Sequence, residues 1–273
     1  MAVNGRRKKR QRERETGDRE RAEAKEDETL GDRQRGAELL WGERERPSRG
    51  PKPGLSVERI ARAAIGVADA EGLSAVSMQR VASEFGFTTM ALYRYVPGKA
   101  ELVELMIDMA IGEPPALDGV SGGWRPKLEA WARHVWAVFL RHPWALGATG
   151  HPRLMGPNEL GWMNSALGAL SGTDLSGGER LEAFLVVLGH VRTAAHHAVD
   201  RRLRQQGGGP GEPWGAVMTE LVQRHGDRYP AVREAMSSGA FGPPAGDGLE
   251  FGLRCVLDGI GVLIAERAAR CAD

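Results

Sequence analysis

The chain has 273 residues, 41% of them hydrophobic, and its 37 Lys and Arg against 36 Asp and Glu leave a formal charge of +1. This is enough apolar material for one large domain or two small ones, and so balanced a charge points to no particular partner. The basic start GRRKKRQRER runs into more charge rather than an export-type apolar segment, and apolar stretches such as AFLVVLG fall far short of the roughly 20 residues that cross a bilayer. Cys255 and Cys271 fall on one predicted helix, where sixteen residues separate them by about 24 Å, too far for a disulfide. A reduced, cytoplasmic protein without a membrane segment is therefore expected.

In chain order, residues 1–50 come first as a charged tail. Residues 1–52 hold 16 Lys and Arg and 12 Asp and Glu, and their only large apolar residues are Met1, Val3, Leu30, Leu39, Leu40 and Trp41. Such a segment cannot bury enough surface to offset its ordering entropy, so disorder is predicted. The Pro/Gly run PSRGPKPG punctuates its end. Beyond it the pattern is helical throughout, and an all-α fold is predicted. Ser56 caps a helix whose Ile60, Ala64, Val67 and Ala68 share a face, and Gly72 stops it. Ser77 caps a second with Val81, Ala82 and Phe85, and Gly86 stops that. Thr88 begins a third and very short helix reaching about Tyr95. After Pro97-Gly98, a fourth carries Leu102, Leu105, Met106 and Met109 at helical spacing.

Four helices in under 60 residues, the second and third joined by a single Gly turn, describe a helix-turn-helix unit over residues 51–112. In such a unit the second helix enters the DNA major groove with its N-terminal residues toward the bases. Thr88 and Thr89 supply hydroxyls and methyls suited to base edges, and Met90 and Ala91 add apolar contact. Arg94 joins Thr89 as a reader of bases. Tyr93, Tyr95 and Lys99 suit phosphates, as do the helix starts at Ser77, with Gln79 beside it, and at Gly98. Leu92 and Val96 anchor the helix to the core. Spacing alone is equally compatible with short helices that merely pack. Residues 54–112 also carry five Arg and Lys against seven Asp and Glu, the reverse of a basic footprint. Phosphate contacts would then draw on Arg49 and Lys52 in the preceding arm, or on the basic tail.

The run LSVERIARAAIGVADAEGLSAVSMQRVASEFGFTTMALYRYVPGKAELVELMID resembles the N-terminal domain of TetR-family transcriptional regulators almost end to end, including LYRYVPGK at that family's Leu-Tyr signature. About 55 residues are covered. LEFGLRCVLDGIGVLIAE looks like part of a tetracycline-repressor-type C-terminal domain. The resemblance implies that residues 113–273 form a helical ligand-binding and dimerisation domain. It further implies a homodimer joined through helices near Gly178–Arg204 and Leu249–Ala269, a palindromic operator in double-stranded DNA, and repression relieved by a small molecule.

Three apolar stripes organise that second domain: Leu128, Trp131, Val135 and Val138; Leu181, Leu185, Leu188 and Val191; and Leu253, Leu257, Ile260 and Ile264. The glycine-rich stretches Arg204–Pro213 and Ser237–Gly248 are predicted loops. An effector pocket should be mostly apolar or aromatic with few polar groups. Its candidate lining is Trp131, His134, Val135, Phe139, Trp144, Trp162, Met163, Phe184, Leu188 and His190. His190 and His197 lie seven apart on one helix face, but no second cluster of Cys, Asp or Glu accompanies them, so neither a metal nor a cofactor is expected. No GxSxG, HExxH, phosphate-loop or paired-Cys motif specifies catalysis. The remaining alternatives are an architectural DNA-binding protein that uses the basic tail without sequence preference, and a helical enzyme.

Overall fold

The structure is a computed structural model that describes residues 34–42, 55–205, 212–240 and 248–272. All regular structure among them is helical. Helix α1 spans residues 34–41. Then come α2 (Val57–Glu71), α3 (Met78–Ser83), α4 (Thr89–Tyr93) and α5 (Lys99–Ile111), followed by α6 (Trp124–Arg141), α7 (Trp144–Ala148) and α8 (Pro157–Ala169). The long α9 (Gly177–Gln205), α10 (Glu212–Arg224), α11 (Pro230–Ser237) and α12 (Leu249–Ala272) complete the chain.

Local chemistry sets the first boundaries. Ser56 and Ser77 each accept a hydrogen bond from a backbone N–H three residues on, at 3.3 and 3.1 Å, satisfying a donor that the helix start would otherwise leave orphaned. Gly72 ends α2 at φ 85°, and Gly86 makes the turn after α3 at φ 67°, both in the region that side chains disfavour. Phe85, expected within α3, lies just beyond it, with Arg59 5.5 Å over its ring. Helix α4 is shorter than expected. It ends at Tyr93, and the N–H groups of both Tyr95 and Val96 turn back to the Leu92 carbonyl.

The tail is the first correction. Disorder was expected through residue 50, yet residues 34–41 are helical. Leu40 is buried, and the Trp41 Nε1 donates to the Met155 carbonyl at 2.9 Å. The apolar triplet Leu39-Leu40-Trp41 is too small to make a core alone, but a core already exists for it to join. Residues 1–33 and 43–54 lie outside the described residues.

In the C-terminal part, α6 packs on α9, and α9 on α12. The stripe expected on α9 is a second correction. Val191 is buried, but Leu181 and Leu185 are exposed, because Ala183, Phe184 and Val187 on a neighbouring face take the core positions. Helix α9 is apolar on two sides, and periodicity cannot rank them. Both glycine-rich segments are shorter than predicted: α9 runs to Gln205, α10 begins at Glu212, and α11 ends at Ser237. Residues 206–211 and 241–247 lie outside the described residues.

One buried cluster runs through both halves of the chain, and polar bonds reinforce the joint. Asp69 on α2 accepts from His142 Nδ1 at 2.8 Å and from Trp144 Nε1 at 2.7 Å. Asp108 on α5, only 1% exposed, accepts from the Glu159 N–H at 3.1 Å and so caps the first turn of α8. Trp162 Nε1 donates to the Gly112 carbonyl at 2.9 Å, at the end of α5.

Candidate nucleic-acid interface and effector cavity

The α3–turn–α4 unit is amphipathic. Leu92 and Val96 are fully buried, whereas on the other side Met90 is 73% exposed. Thr88, Tyr93, Arg94, Tyr95 and Lys99 are exposed with it, and Thr89 and Ala91 are partly so. Ser77 and Gln79 lie exposed at the start of α3. The Thr88 hydroxyl caps nothing, although Thr88 occupies the N-cap position. These side chains therefore form one open surface. Arg49 and Lys52 lie outside the described residues.

Sequence reasoning passed over Phe87. It is exposed in the turn immediately before Thr88 and enlarges the apolar part of this surface. Its signal was available, since an aromatic between a turn glycine and a helix N-cap has little core to join. Arg80, a basic residue of the same unit, is committed elsewhere. Glu84 and Glu71 both pair with it and hold its pKa above the ordinary value.

A cavity of about 110 Å³ lies among α5, α6, α8 and α9. Of the candidate lining residues, Trp131, Val135, Phe139, Trp162, Met163, Phe184 and Leu188 border it. Its aromatic wall is ordered: the Trp131 ring meets those of Trp162 and Phe184 edge-on at 6.2 and 5.6 Å, and its Nε1 donates to the Trp162 carbonyl at 2.9 Å.

Three expected lining residues lie elsewhere. His134 is exposed, with Nδ1 against the Ala130 carbonyl of its own helix. Trp144 is buried but turned to Asp69. The His190 Nε2 meets the Leu249 carbonyl at 2.8 Å, and a Cβ on Gly252 would come within 2.1 Å of the His190 ring. His190 thus belongs to the α9–α12 seam. An aromatic pattern identifies apolar interior without saying which interior is hollow.

The sequence reading also missed the cavity's polar groups and its floor. Ile107, Ala110 and Ile111 bring α5 into the wall, so one helix borders both the cavity and the helix-turn-helix core. Thr149, Glu159 and Arg192 are the polar lining. Glu159 is paired bidentately with Arg153. Arg192 donates to Thr149 Oγ1 and, at 2.7 Å, to the Leu146 carbonyl, with its guanidinium 5.7 Å over the Phe139 ring. Burial first, and the Arg153 charge second, lower its pKa from the ordinary value. Among the described residues, no three His, Cys, Asp or Glu side chains gather as a metal site, and no helix is long and apolar enough to cross a membrane.

Comparison with known proteins agrees with this layout. Residues 60–106 match the profile of bacterial regulatory proteins of the tetR family, and residues 115–264 match that of the tetracyclin repressor-like C-terminal domain. The HTH-type transcriptional repressor DrrR1 of Streptomyces coeruleorubidus is 42% identical over 264 residues, 94% of this chain and 96% of that one. An HTH-type transcriptional regulator of Saccharopolyspora erythraea is 30% identical over 154 residues, 56% of this chain and 64% of its own. Among solved structures, Streptomyces coelicolor ActR in complex with actinorhodin superimposes with a TM-score of 0.66 at 23% identity, covering 79% of this chain and 99% of that one. A repressor relative aligned over nearly its whole length, together with two matching profiles, settles the affiliation: the chain belongs to the TetR family of bacterial transcriptional regulators.

Proposed function

We propose that this protein is a repressor that binds a palindromic operator as a homodimer through α4 and leaves it when a small molecule fills the cavity beside α5. The observation that carries the DNA half is the division of α4, with Leu92 and Val96 buried and Thr88, Met90, Tyr93 and Arg94 outward. An exposed methionine and three exposed aromatics on one short unit are costly to leave in water and suit a surface that is covered in use. Thr89 and Arg94 read base edges, while Tyr93, Tyr95 and Lys99 hold phosphates. The repressor reading follows the relative's name.

The effector half rests on α5. Ile107, Ala110 and Ile111 border the cavity, while Leu102, Leu105 and Met106 on the same helix pack in the DNA-binding core. A ligand that displaces the cavity end of α5 moves the helix-turn-helix with it, because packed cores shift as units rather than deform smoothly. The dimer half rests on an apolar groove of about 340 Å³ between α9 and α12. Val186 on its rim is 53% exposed, and Val262 on α12 is 61% exposed. A second copy covering this face makes a four-helix seam and pairs two α4 helices for half-sites one DNA turn apart. Action in the cytoplasm follows from an operator on chromosomal DNA.

In vitro selection from a random-duplex pool tests the reading. An inverted repeat with half-site centres about 34–36 Å apart is expected. Recovery of no common motif would remove it in favour of binding without sequence preference.

A further inference from the structure

Arg192 is an unusual lining group for a cavity walled by tryptophan, phenylalanine and aliphatic side chains. It projects from the middle of the long α9, half-buried, and among the described residues no carboxylate forms an ion pair with it. The other charges at the wall cancel, since Glu159 is taken up by Arg153. Arg192, Arg153 and Glu159 together leave this end of the cavity with one net positive charge in otherwise apolar surroundings. A guanidinium offers five N–H donors, and two named acceptors, Thr149 Oγ1 and the Leu146 carbonyl, fix its position. Its donors are not exhausted, and its plane is held by these bonds and by the Phe139 ring.

We propose that the effector is an aromatic or similarly flat apolar molecule bearing an acidic oxygen, a carboxylate or an ionised phenol or enol, that Arg192 receives. The inference rests on the cavity being the effector site, as argued above. Three features carry it. The first is electrostatic: a half-buried cation with no direct ion-pair partner gains more from an anionic ligand than an exposed one does, because fewer solvent dipoles compensate it. The lowered Arg192 pKa has the same cause. The second is geometric: Arg192 is oriented before ligand arrives, so little side-chain freedom is lost on binding. The third is complementarity of the remainder. Trp131, Trp162 and Phe184 present edges and faces to a flat ring, and the neutral polar side chain beside the cation, Thr149, is already engaged, donating to the Ala145 carbonyl and accepting from Arg192. A role as a fastener for α7 accounts for two hydrogen bonds to Arg192. It does not account for a charge left without an opposite in an apolar wall.

Isothermal titration calorimetry of the full-length protein with three probes of one ring system, 2-naphthoate, 2-naphthamide and 2-naphthylmethylamine, tests the charge directly at pH 7.5. The expected order is naphthoate tightest, by at least about tenfold over the amide, a difference of about 1.4 kcal/mol, with the amine weakest. Arg192→Gln should bring naphthoate down to the affinity the same variant shows for the amide. Arg192→Lys, which keeps the charge but loses the planar fork, should retain a reduced preference for naphthoate and serves if the Gln variant fails to fold. Equal binding of naphthoate and amide by the wild type would overturn the acidic-ligand inference while leaving the cavity as the effector site. A naphthoate preference that survives in Arg192→Gln would overturn it equally. Binding of none of the three would remove both.

Discussion

Gly156→Ala tests the joint between the cavity and the DNA-binding half in a single methyl group. Gly156 has φ −79° and ψ 173°, an extended conformation that alanine adopts freely, so no backbone strain is added. Taken alone, the change should stabilise by about 0.4–1 kcal/mol through the unfolded chain. The added Cβ, however, would lie 2.2 Å from Asp108 Oδ1 and 2.3 Å from its Cγ, far inside contact distance. Asp108 is almost completely buried and caps α8, so it has no free space to enter. Overpacking of this kind costs about 1–3 kcal/mol, and displacing the cap adds about 1 kcal/mol. The net expectation is a loss of about 1–3 kcal/mol by urea denaturation after the unfolded-chain gain is subtracted. Gly168→Ala is the control on the same helix. Nothing lies within 4 Å of its added Cβ, and it should stabilise by up to about 1 kcal/mol. If the two variants are equally stable, α5 and α8 are not packed as described, and the route from cavity to DNA fails with them.

Other changes probe the remaining parts. Lys99→Ala should weaken binding on all duplexes alike and lower the salt slope by about one unit, whereas Thr89→Ala should cost roughly 1–3 kcal/mol on the operator and relax preference at one position, both by fluorescence anisotropy. Val186→Glu together with Val262→Glu should halve the mass seen by light scattering at micromolar concentration, while an unchanged dimer would place the seam elsewhere. Trp41→Ala should lower thermal stability by removing the bond to the Met155 carbonyl, and a variant as stable as wild type would return α1 to the dispensable tail. Glu179, at the start of α9, pairs with Arg267 on α12, which with Ser176 lowers its pKa to about 2. Its folded pKa is depressed, so its stabilisation is present above the usual carboxylate range and lost as pH falls toward about 2. Glu179→Gln should flatten the acid limb of the stability curve between those limits.

The parts of the fold that could be read in advance were those fixed by local chemistry. Ser56 and Ser77 as caps, Gly72 and Gly86 as stops, and the buried pair Leu92 and Val96 all follow from residue type and spacing. Helices α7 and α8 were missed: α7 has five residues, and α8 has glycines at 161 and 168 within its span. Helix α1 was misjudged because its partners lie far away in the chain, Met155 more than a hundred residues from Trp41. The cavity was legible as aromatic material and illegible as a shape. Arg192 looks like any arginine on a helix surface until the end of α7 closes over it, and His190 looks like a pocket residue until Gly252 admits α12 against its ring. Long-range approach, not residue type, made the difference in each case.

Whether α4 reads DNA sequence is decided by the affinity ratio between selected operator and scrambled duplex at 0.15 M salt. A ratio of at least about 10³ is expected for the wild type, reduced by tenfold or more in a Thr89→Ala, Arg94→Ala double variant whose stability is unchanged. A wild-type ratio near one, or a double variant that keeps the full ratio, would show that α4 does not read sequence.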